Sequence, residues 1–282
     1  MNLIIDCNQA SRLPTDRGKT RSHSLIVSPA VLAEIFLRTD PNPTLNRIRH
    51  YHFTIGLEIA DVMFKLSRLS SEEISSIQPF YSQRNTYQED YEGLIEGIYK
   101  PTLDHVNWAA GMKARHRQSC EGLTAQSEPA RKEIREAVRA HRRVSEKTGS
   151  PAEEKPSNYK DLLPYDSSKE FVYDLLTQSL VKFYGLNVER VAQIFDAVMT
   201  NPYLGRLLRC LHAYSLGRAG GWRDQENNFY PSQQQDDVTD ILLPLYAGDG
   251  DAIVTEDKML SRLISLIEVG AAPVLILKAS EI

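Results

Sequence analysis

Acidic residues follow two short apolar runs that lie far apart in this 282-residue chain. Near the start, Leu3-Ile4-Ile5 predicts a first strand, and Asp6 comes directly after it. Near the end, Ala252-Ile253-Val254 predicts a buried strand that leads into Thr255-Glu256-Asp257. Acids in these positions reach the carboxyl edge of an α/β sheet, where ligands collect. We therefore expect the two chain ends to meet and to form one acidic pocket.

Other acids are placed so that they could complete this pocket. A Ser-Pro pair predicts the start of a helix that continues from Ala30 to Arg38, and Glu34 lies inside it among apolar neighbours. Asp237 and Asp240 are three residues apart, so a helix would present both on one face. Asp251 stands just before the last acidic strand and is a further candidate ligand. Asp237 and Asp251 also fit the ordinary roles of capping or turn-forming acids.

Several carboxylates in one pocket repel one another, and a cation or a retained proton is needed to make the arrangement tolerable. Hard oxygen ligands select Mg²⁺ or Mn²⁺, which bridge carboxylates to the phosphates of a substrate. Metal-assisted hydrolysis of a phosphodiester is the chemistry that such a pocket favours.

Four motifs, taken together and in this order, resemble the PIN-domain ribonucleases. They are Leu3-Ile4-Ile5-Asp6-Cys7-Asn8, Ile26-Val27-Ser28-Pro29 leading to Glu34, Asp237-Val238-Thr239-Asp240, and Ile253-Val254-Thr255-Glu256-Asp257-Lys258. The resemblance covers the two ends of the chain, whereas the long middle departs from the compact family pattern.

The resemblance implies a metal-dependent endoribonuclease that cleaves single-stranded or structured RNA with a water activated by Mg²⁺ or Mn²⁺. It places the family's four acids on Asp6, Glu34, Asp240 and Asp257, with Asp237 as a further metal ligand or as the functional third acid. Supporting roles fall on Asn8 beside the first acid, on Thr255 before the last, and on Asp251.

The predicted fold is α/β, a small parallel sheet flanked by helices in a PIN-like arrangement, with a large helical insertion. Residues 1–42 and 200–282 carry the strand patterns and form the predicted core. Residues 43–199 are mostly helical in pattern and form the predicted insertion, including a helix over Asn46–Leu69.

Composition limits the partners and the compartment. A net charge of -4 argues against wholesale attraction to nucleic acid or to an anionic membrane, although it leaves room for a local basic groove. The three cysteines are widely spaced and odd in number, which argues against a disulfide framework and against a structural zinc site. No apolar segment approaches the ~20 residues that span a bilayer. We therefore expect a soluble, cytoplasmic protein.

Candidate RNA contacts are few. Arg12 lies in a basic stretch after the first strand, and Arg218, Trp222 and Arg223 combine cations with an aromatic ring that could stack on bases. A lone loop tryptophan more often packs against its own protein. The basic segment Arg131–Lys147 is better explained as a solvated helix face.

Two other functions fit part of the pattern. A catalytically inactive PIN-like module would bind RNA or protein, but it would have no reason to keep mutually repelling acids. A phosphatase of the haloacid dehalogenase type needs a second Asp two residues after Asp6, where this chain has Asn8. The sequence leaves open whether the nucleic acid is RNA or DNA, and whether an inhibitor protein or a second copy of the chain binds.

Overall fold

Five short strands form one sheet in the computed structural model, which describes residues 1–16, 22–82, 88–97, 102–126, 132, 165–206, 242–258, 260–261, 264 and 274–282. The strands are β1 (Asn2–Ile5), β2 (Ser24–Val27), β3 (His52–Ile55), β4 (Ala252–Val254) and β5 (Leu275–Leu277). Every pairing between them is parallel. The predicted α/β class, with a parallel sheet built from both ends of the chain, is confirmed.

The strand order is β3-β2-β1-β4-β5, with β1 at the centre. Ile4 of β1 pairs with Ile26 of β2 on one side and with Ile253 of β4 on the other. From β1 the chain moves outward through β2 to β3, whereas β4 and β5 extend in the opposite direction. The order therefore reverses between β1 and β4, and the carboxyl ends of strands at such a switch point form a crevice where ligands bind.

Helices fill most of the remaining described chain. They are α1 (Cys7–Ala10), α2 (Pro29–Phe36), α3 (Asn42–Ile48), α4 (Ile59–Leu66), α5 (Ser71–Ser75), α6 (Gln88–Glu96), α7 (Leu103–Gln126), α8 (Tyr165–Tyr184) and α9 (Val188–Thr200). Short 3-10 turns occur at Phe80–Ser82, Leu243–Tyr246 and Ala279–Glu281.

The long helix α7 packs against α2, and α9 packs against both α5 and α8. Phe36 at the end of α2 meets Trp108 of α7 edge to face, with 6.4 Å between ring centroids. The predicted start of α2 is confirmed, since the Ser28 hydroxyl accepts a hydrogen bond from the Val31 N–H at 3.2 Å and Pro29 opens the helix. This helix carries Glu34, so its packing fixes where that acid lies.

The prediction of one helix over Asn46–Leu69 is wrong. The segment contains the end of α3, then strand β3, then α4. Apolar residues at 45, 48, 51 and 55 imitate helical spacing, and all four are buried. Gly56 directly follows β3, and a Cβ at this position would collide with the ring of Tyr246. The sheet therefore extends into residues 43–199, although the domain boundaries themselves stay a prediction.

No helix within the described ranges is both long and apolar enough to cross a membrane.

Candidate functional site

Asp6 lies at the carboxyl end of the central strand, at the switch point. Its backbone N–H donates to the Val254 carbonyl at 3.2 Å, which joins the ends of β1 and β4. Its carboxylate caps α1 by accepting a hydrogen bond from the Asn8 N–H at 3.0 Å. The residue is only 3 % exposed. A single carboxylate is thus buried and oriented at the point where α/β sheets bind ligands.

Thr255 connects the first predicted acid to the last. Its hydroxyl donates to Asp6 Oδ2 at 3.0 Å and accepts from the Asp257 N–H at 3.0 Å. The Thr255 N–H in turn donates to the Leu277 carbonyl at 2.9 Å, so the threonine is held by β5 as well. Asp257 Oδ1 accepts from the Leu260 N–H at 3.1 Å. The structure brings Asp6, Thr255 and Asp257 together at one edge, as the sequence predicts.

The electrostatic environment disfavours the ionised form of Asp6. Burial raises the pKa of the Asp6 carboxyl, and the nearby negative charge of Asp257 raises that pKa further. Hydrogen bonds from Asn8 and Thr255, together with the positive charge of Arg38, act in the opposite direction. The net shift is upward, so Asp6 lies in a place where added positive charge would stabilise its carboxylate.

Glu34 approaches the same site from α2. The thiol of Cys7, which follows Asp6, is hydrogen-bonded to the Glu34 side chain. Burial is the largest cause of the raised pKa of the Cys7 thiol, and the negative charges of Glu34 and Asp6 raise that pKa further. Glu34 is half-buried, whereas Cys7 is buried. The structure therefore brings Glu34 beside the residue that follows Asp6.

Arg38 is a neighbour of the site that the sequence interpretation overlooks. One guanidinium nitrogen donates to the Cys7 carbonyl at 2.9 Å and to Cys7 Sγ at 3.1 Å. The other terminal nitrogen donates to Thr44 Oγ1 at 3.3 Å. A signal was present, since the predicted helix runs to Arg38, and residues four apart in a helix, such as Glu34 and Arg38, share a face. In the structure α2 ends at Phe36, and Arg38 lies two residues beyond it. Arg38 fixes the start of α1 and brings a cation to the acids.

The supporting residue Asn8 acts through its backbone. Its N–H is the donor that caps Asp6, while its side chain is exposed at the same edge of the sheet.

Asp251 does not belong to this site. It precedes β4 and therefore lies at the amino edge of the parallel sheet, opposite the carboxyl edge that carries Asp6. Its carboxylate accepts hydrogen bonds from the Asn2 N–H at 3.0 Å, from Asn2 Nδ2 at 3.2 Å and from the Gly248 N–H at 2.9 Å. It is 4 % exposed and ties the start of β1 to the turn before β4. The prediction that it supports the metal ligands is therefore corrected to a structural role.

The remaining predicted residues divide into two groups. Arg12 follows α1 at the carboxyl edge and forms an ion pair with Glu256. The other group lies outside the described residues and consists of Asp237, Asp240, Arg218, Trp222 and Arg223.

The donor chemistry of the site suits a hard cation, because its groups are carboxylates and a hydroxyl. Within the described ranges, no three His, Cys, Asp or Glu side chains form a group that could hold a metal ion. Of the five predicted ligands, Asp6, Glu34 and Asp257 lie within the described ranges, whereas Asp237 and Asp240 lie outside them.

Compared with known proteins, the chain matches no protein-family model, no curated protein and no solved structure.

Proposed function

We propose that the protein is a metal-dependent endoribonuclease with a PIN-like fold. The observation that carries the proposal is the buried Asp6 carboxylate at the switch point, joined through the Thr255 hydroxyl to the backbone of Asp257. Residues from opposite ends of the chain thus form one acidic edge, as the resemblance requires. The all-parallel sheet with β1 at its centre is compatible with a PIN-like fold.

Asp6, Glu34 and Asp257 are the described residues that would hold Mg²⁺ or Mn²⁺. When bound, the ion supplies Lewis acidity, which lowers the pKa of the attacking water and neutralises charge on the phosphodiester. The raised pKa of Asp6 supports this assignment, because a divalent cation would relieve the burial and repulsion that disfavour its ionised form. Asp237 and Asp240 remain the predicted further ligands.

Thr255 serves to position the two aspartates. A threonine hydroxyl has one proton to donate, and here it is directed at Asp6, which leaves its lone pairs for the Asp257 N–H. The hydroxyl therefore holds the ends of β1 and β4 in register at the reacting edge. Groups that orient metal ligands in this way typically affect metal affinity or activity by about 10- to 100-fold.

The test is Mn²⁺-stimulated cleavage of an end-labelled single-stranded RNA, with EDTA as the metal-free control. Cleavage is expected for the wild-type protein, and it should be lost in Asp6→Asn and in Asp257→Asn. Asp196→Asn is the matched control, since it removes an exposed acid on α9 and should retain activity. Cleavage that is absent in the wild type, or that persists in both site variants, would contradict the proposal.

One observation favours the alternative, a PIN-like module that binds RNA or protein without cutting. Arg38 already supplies a positive charge that lowers the pKa of Asp6, so part of the acidic charge is balanced without a metal. Calorimetric titration with Mn²⁺ separates the two functions, because an inactive module without the site would give no specific heat of binding.

A further inference from the structure

Three exposed cations surround the acidic edge on the side of β4 and β5. Lys258 directly follows Asp257, Lys278 directly follows β5, and Arg12 comes two residues after α1. We call these residues, Arg12, Lys258 and Lys278, the cationic rim. Neither lysine forms an ion pair with any residue that the structure describes.

Backbone contacts place the rim next to the site. The Thr255 N–H donates to the Leu277 carbonyl at 2.9 Å, and Lys278 is the next residue after Leu277. The Ala279 N–H donates to the buried Gln9 side chain of α1 at 3.4 Å. The ends of β4, β5 and α1 therefore meet. Adjacent strands lie about 4.8 Å apart, so long cationic side chains here can reach groups beside Asp6.

The opposite side of the site has a different character. Glu58 follows β3 at the same carboxyl edge, and α7 covers it through Trp108 Nε1, which donates to the Glu58 carboxylate at 3.2 Å. Arg115 of the same helix lies 3.7 Å from that carboxylate and so has an acidic neighbour. Glu34 adds a further carboxylate on the β2 side. The cations on this side already have partners, since Arg38 donates to Cys7 and Arg115 lies beside Glu58. Lys258 and Lys278 form no ion pair with a described residue, so they are the cations that an incoming polyanion can engage.

The Arg12 ion pair with Glu256 does not block this role. The two side chains are 60 % and 43 % exposed. Ion pairs with such exposure contribute little, because water and salt screen them. A phosphate can therefore replace Glu256 as the partner of Arg12, and its oxygens suit the guanidinium fork.

We propose that the cationic rim binds the phosphates of single-stranded RNA that flank the scissile phosphodiester, so that the strand runs from Asp6 across β4 and β5. This inference rests on the proposed nuclease function, since it assigns the path of the substrate at the same site. A chain of net charge -4 can still bind an anionic substrate in this way, because the three cations attract phosphates locally at the edge of the site. The rim contacts only phosphates and therefore carries no sequence specificity.

The test measures binding of a fluorescein-labelled single-stranded RNA by anisotropy in EDTA, which prevents cleavage. The double variant Lys258→Ala and Lys278→Ala should weaken binding by about tenfold and reduce the salt-dependence slope by about 1.4, or 0.7 per lost phosphate contact. The double variant Arg68→Ala and Lys182→Ala is the matched control. It also removes two exposed cations, Arg68 just after α4 and Lys182 on α8. That control should bind like the wild type.

A second variant has the opposite expected sign. Glu256→Gln removes the carboxylate that competes with phosphate for Arg12, and it should tighten RNA binding by about two- to fivefold. Glu72→Gln, an exposed acid on α5, is its control. Because all these side chains are exposed, circular dichroism should show wild-type folding.

The rim proposal is overturned if the wild type does not bind RNA in EDTA, if the double lysine variant binds like its control, or if Glu256→Gln fails to tighten binding. Its outcome is separable from that of the nuclease proposal. RNA binding that follows the expected pattern, without cleavage when Mn²⁺ is added, would support the rim and contradict only the metal-dependent nuclease.

Discussion

Replacing Thr255 with valine tests whether its hydroxyl holds the acidic edge together. Valine has nearly the same shape, and Thr255 is only 2 % exposed, so packing is preserved while the hydroxyl is removed. The substitution removes the 3.0 Å hydrogen bond to the Asp6 carboxylate and the 3.0 Å hydrogen bond from the Asp257 N–H. A hydrogen bond to a charged group contributes about 1.5–3 kcal/mol and a neutral one about 0.5–1.5 kcal/mol. We expect the free energy of unfolding to fall by about 2–4 kcal/mol.

The loss should depend on pH in a defined direction. The pKa of Asp6 is raised in the folded chain, so the carboxyl is protonated below that raised pKa and ionised above it. The Thr255 hydroxyl lowers this pKa, which means that it stabilises the ionised form more than the protonated form. Removing the hydroxyl therefore costs most at neutral pH, and the cost shrinks as pH falls through the raised pKa of Asp6.

Urea denaturation at neutral and at mildly acid pH measures both effects. Thr177→Val on α8 is the matched control, because the Thr177 hydroxyl is buried without a hydrogen-bond partner among the described residues. That substitution should leave stability unchanged or raise it slightly. The reasoning is refuted if Thr255→Val is no more destabilising than Thr177→Val, or if its cost does not diminish toward acid pH.

Three further substitutions test the same reading of the structure by urea denaturation. The folded state binds the Asp6 proton more tightly than the unfolded state, so stability falls as pH rises from the ordinary pKa of Asp to the raised one. Asp6→Asn removes the titrating group and should abolish this fall in stability. Asp251→Ala should cost about 2–4 kcal/mol, since it leaves the part-buried N–H of Asn2 and the buried N–H of Gly248 without their acceptor, and Mn²⁺ affinity of the folded protein should not change. Asn201→Ala should cost about 2–4 kcal/mol, because its buried amide joins the end of α9 to the carbonyls of Ile74 and Ser75 in α5 and of Ile77 just after it.

The acidic edge was predictable because strand ends in a parallel sheet follow a simple rule. An acid directly after a strand must lie at the carboxyl edge, and two neighbouring parallel strands bring their acids together. In each of the two motifs, the apolar strand and the acid that follows it lie within six consecutive residues, so the local sequence was enough to recognise them. Their meeting across 249 positions of sequence separation follows from the pairing of β1 with β4.

The same rule, applied fully, excludes Asp251. That residue comes before β4, so it belongs at the amino edge, where its carboxylate accepts backbone hydrogen bonds. Its sequence neighbourhood, an acid beside a Gly-Asp-Gly turn, does not distinguish a ligand from a turn residue. Only the direction of the strand relative to the site separates the two interpretations.

Strand β3 could not be recognised from periodicity alone. It has four residues, and His52, Phe53 and Thr54 are not fully buried, so no continuous apolar run marks it. Its buried residue Ile55 continues the three- and four-residue spacing of the preceding helix α3. Pairing with β2 defines the strand, and such a long-range contact leaves no local signal in a segment this short.

Calorimetric titration of the wild-type protein and of Asp6→Asn with Mn²⁺ tests the central claim most directly. The claim is that residues from both chain ends form one carboxylate site for a divalent ion. We expect a saturable heat of binding in the wild type that disappears in Asp6→Asn while the variant remains folded. No specific heat in the wild type, or equal heats in both proteins, would contradict the claim.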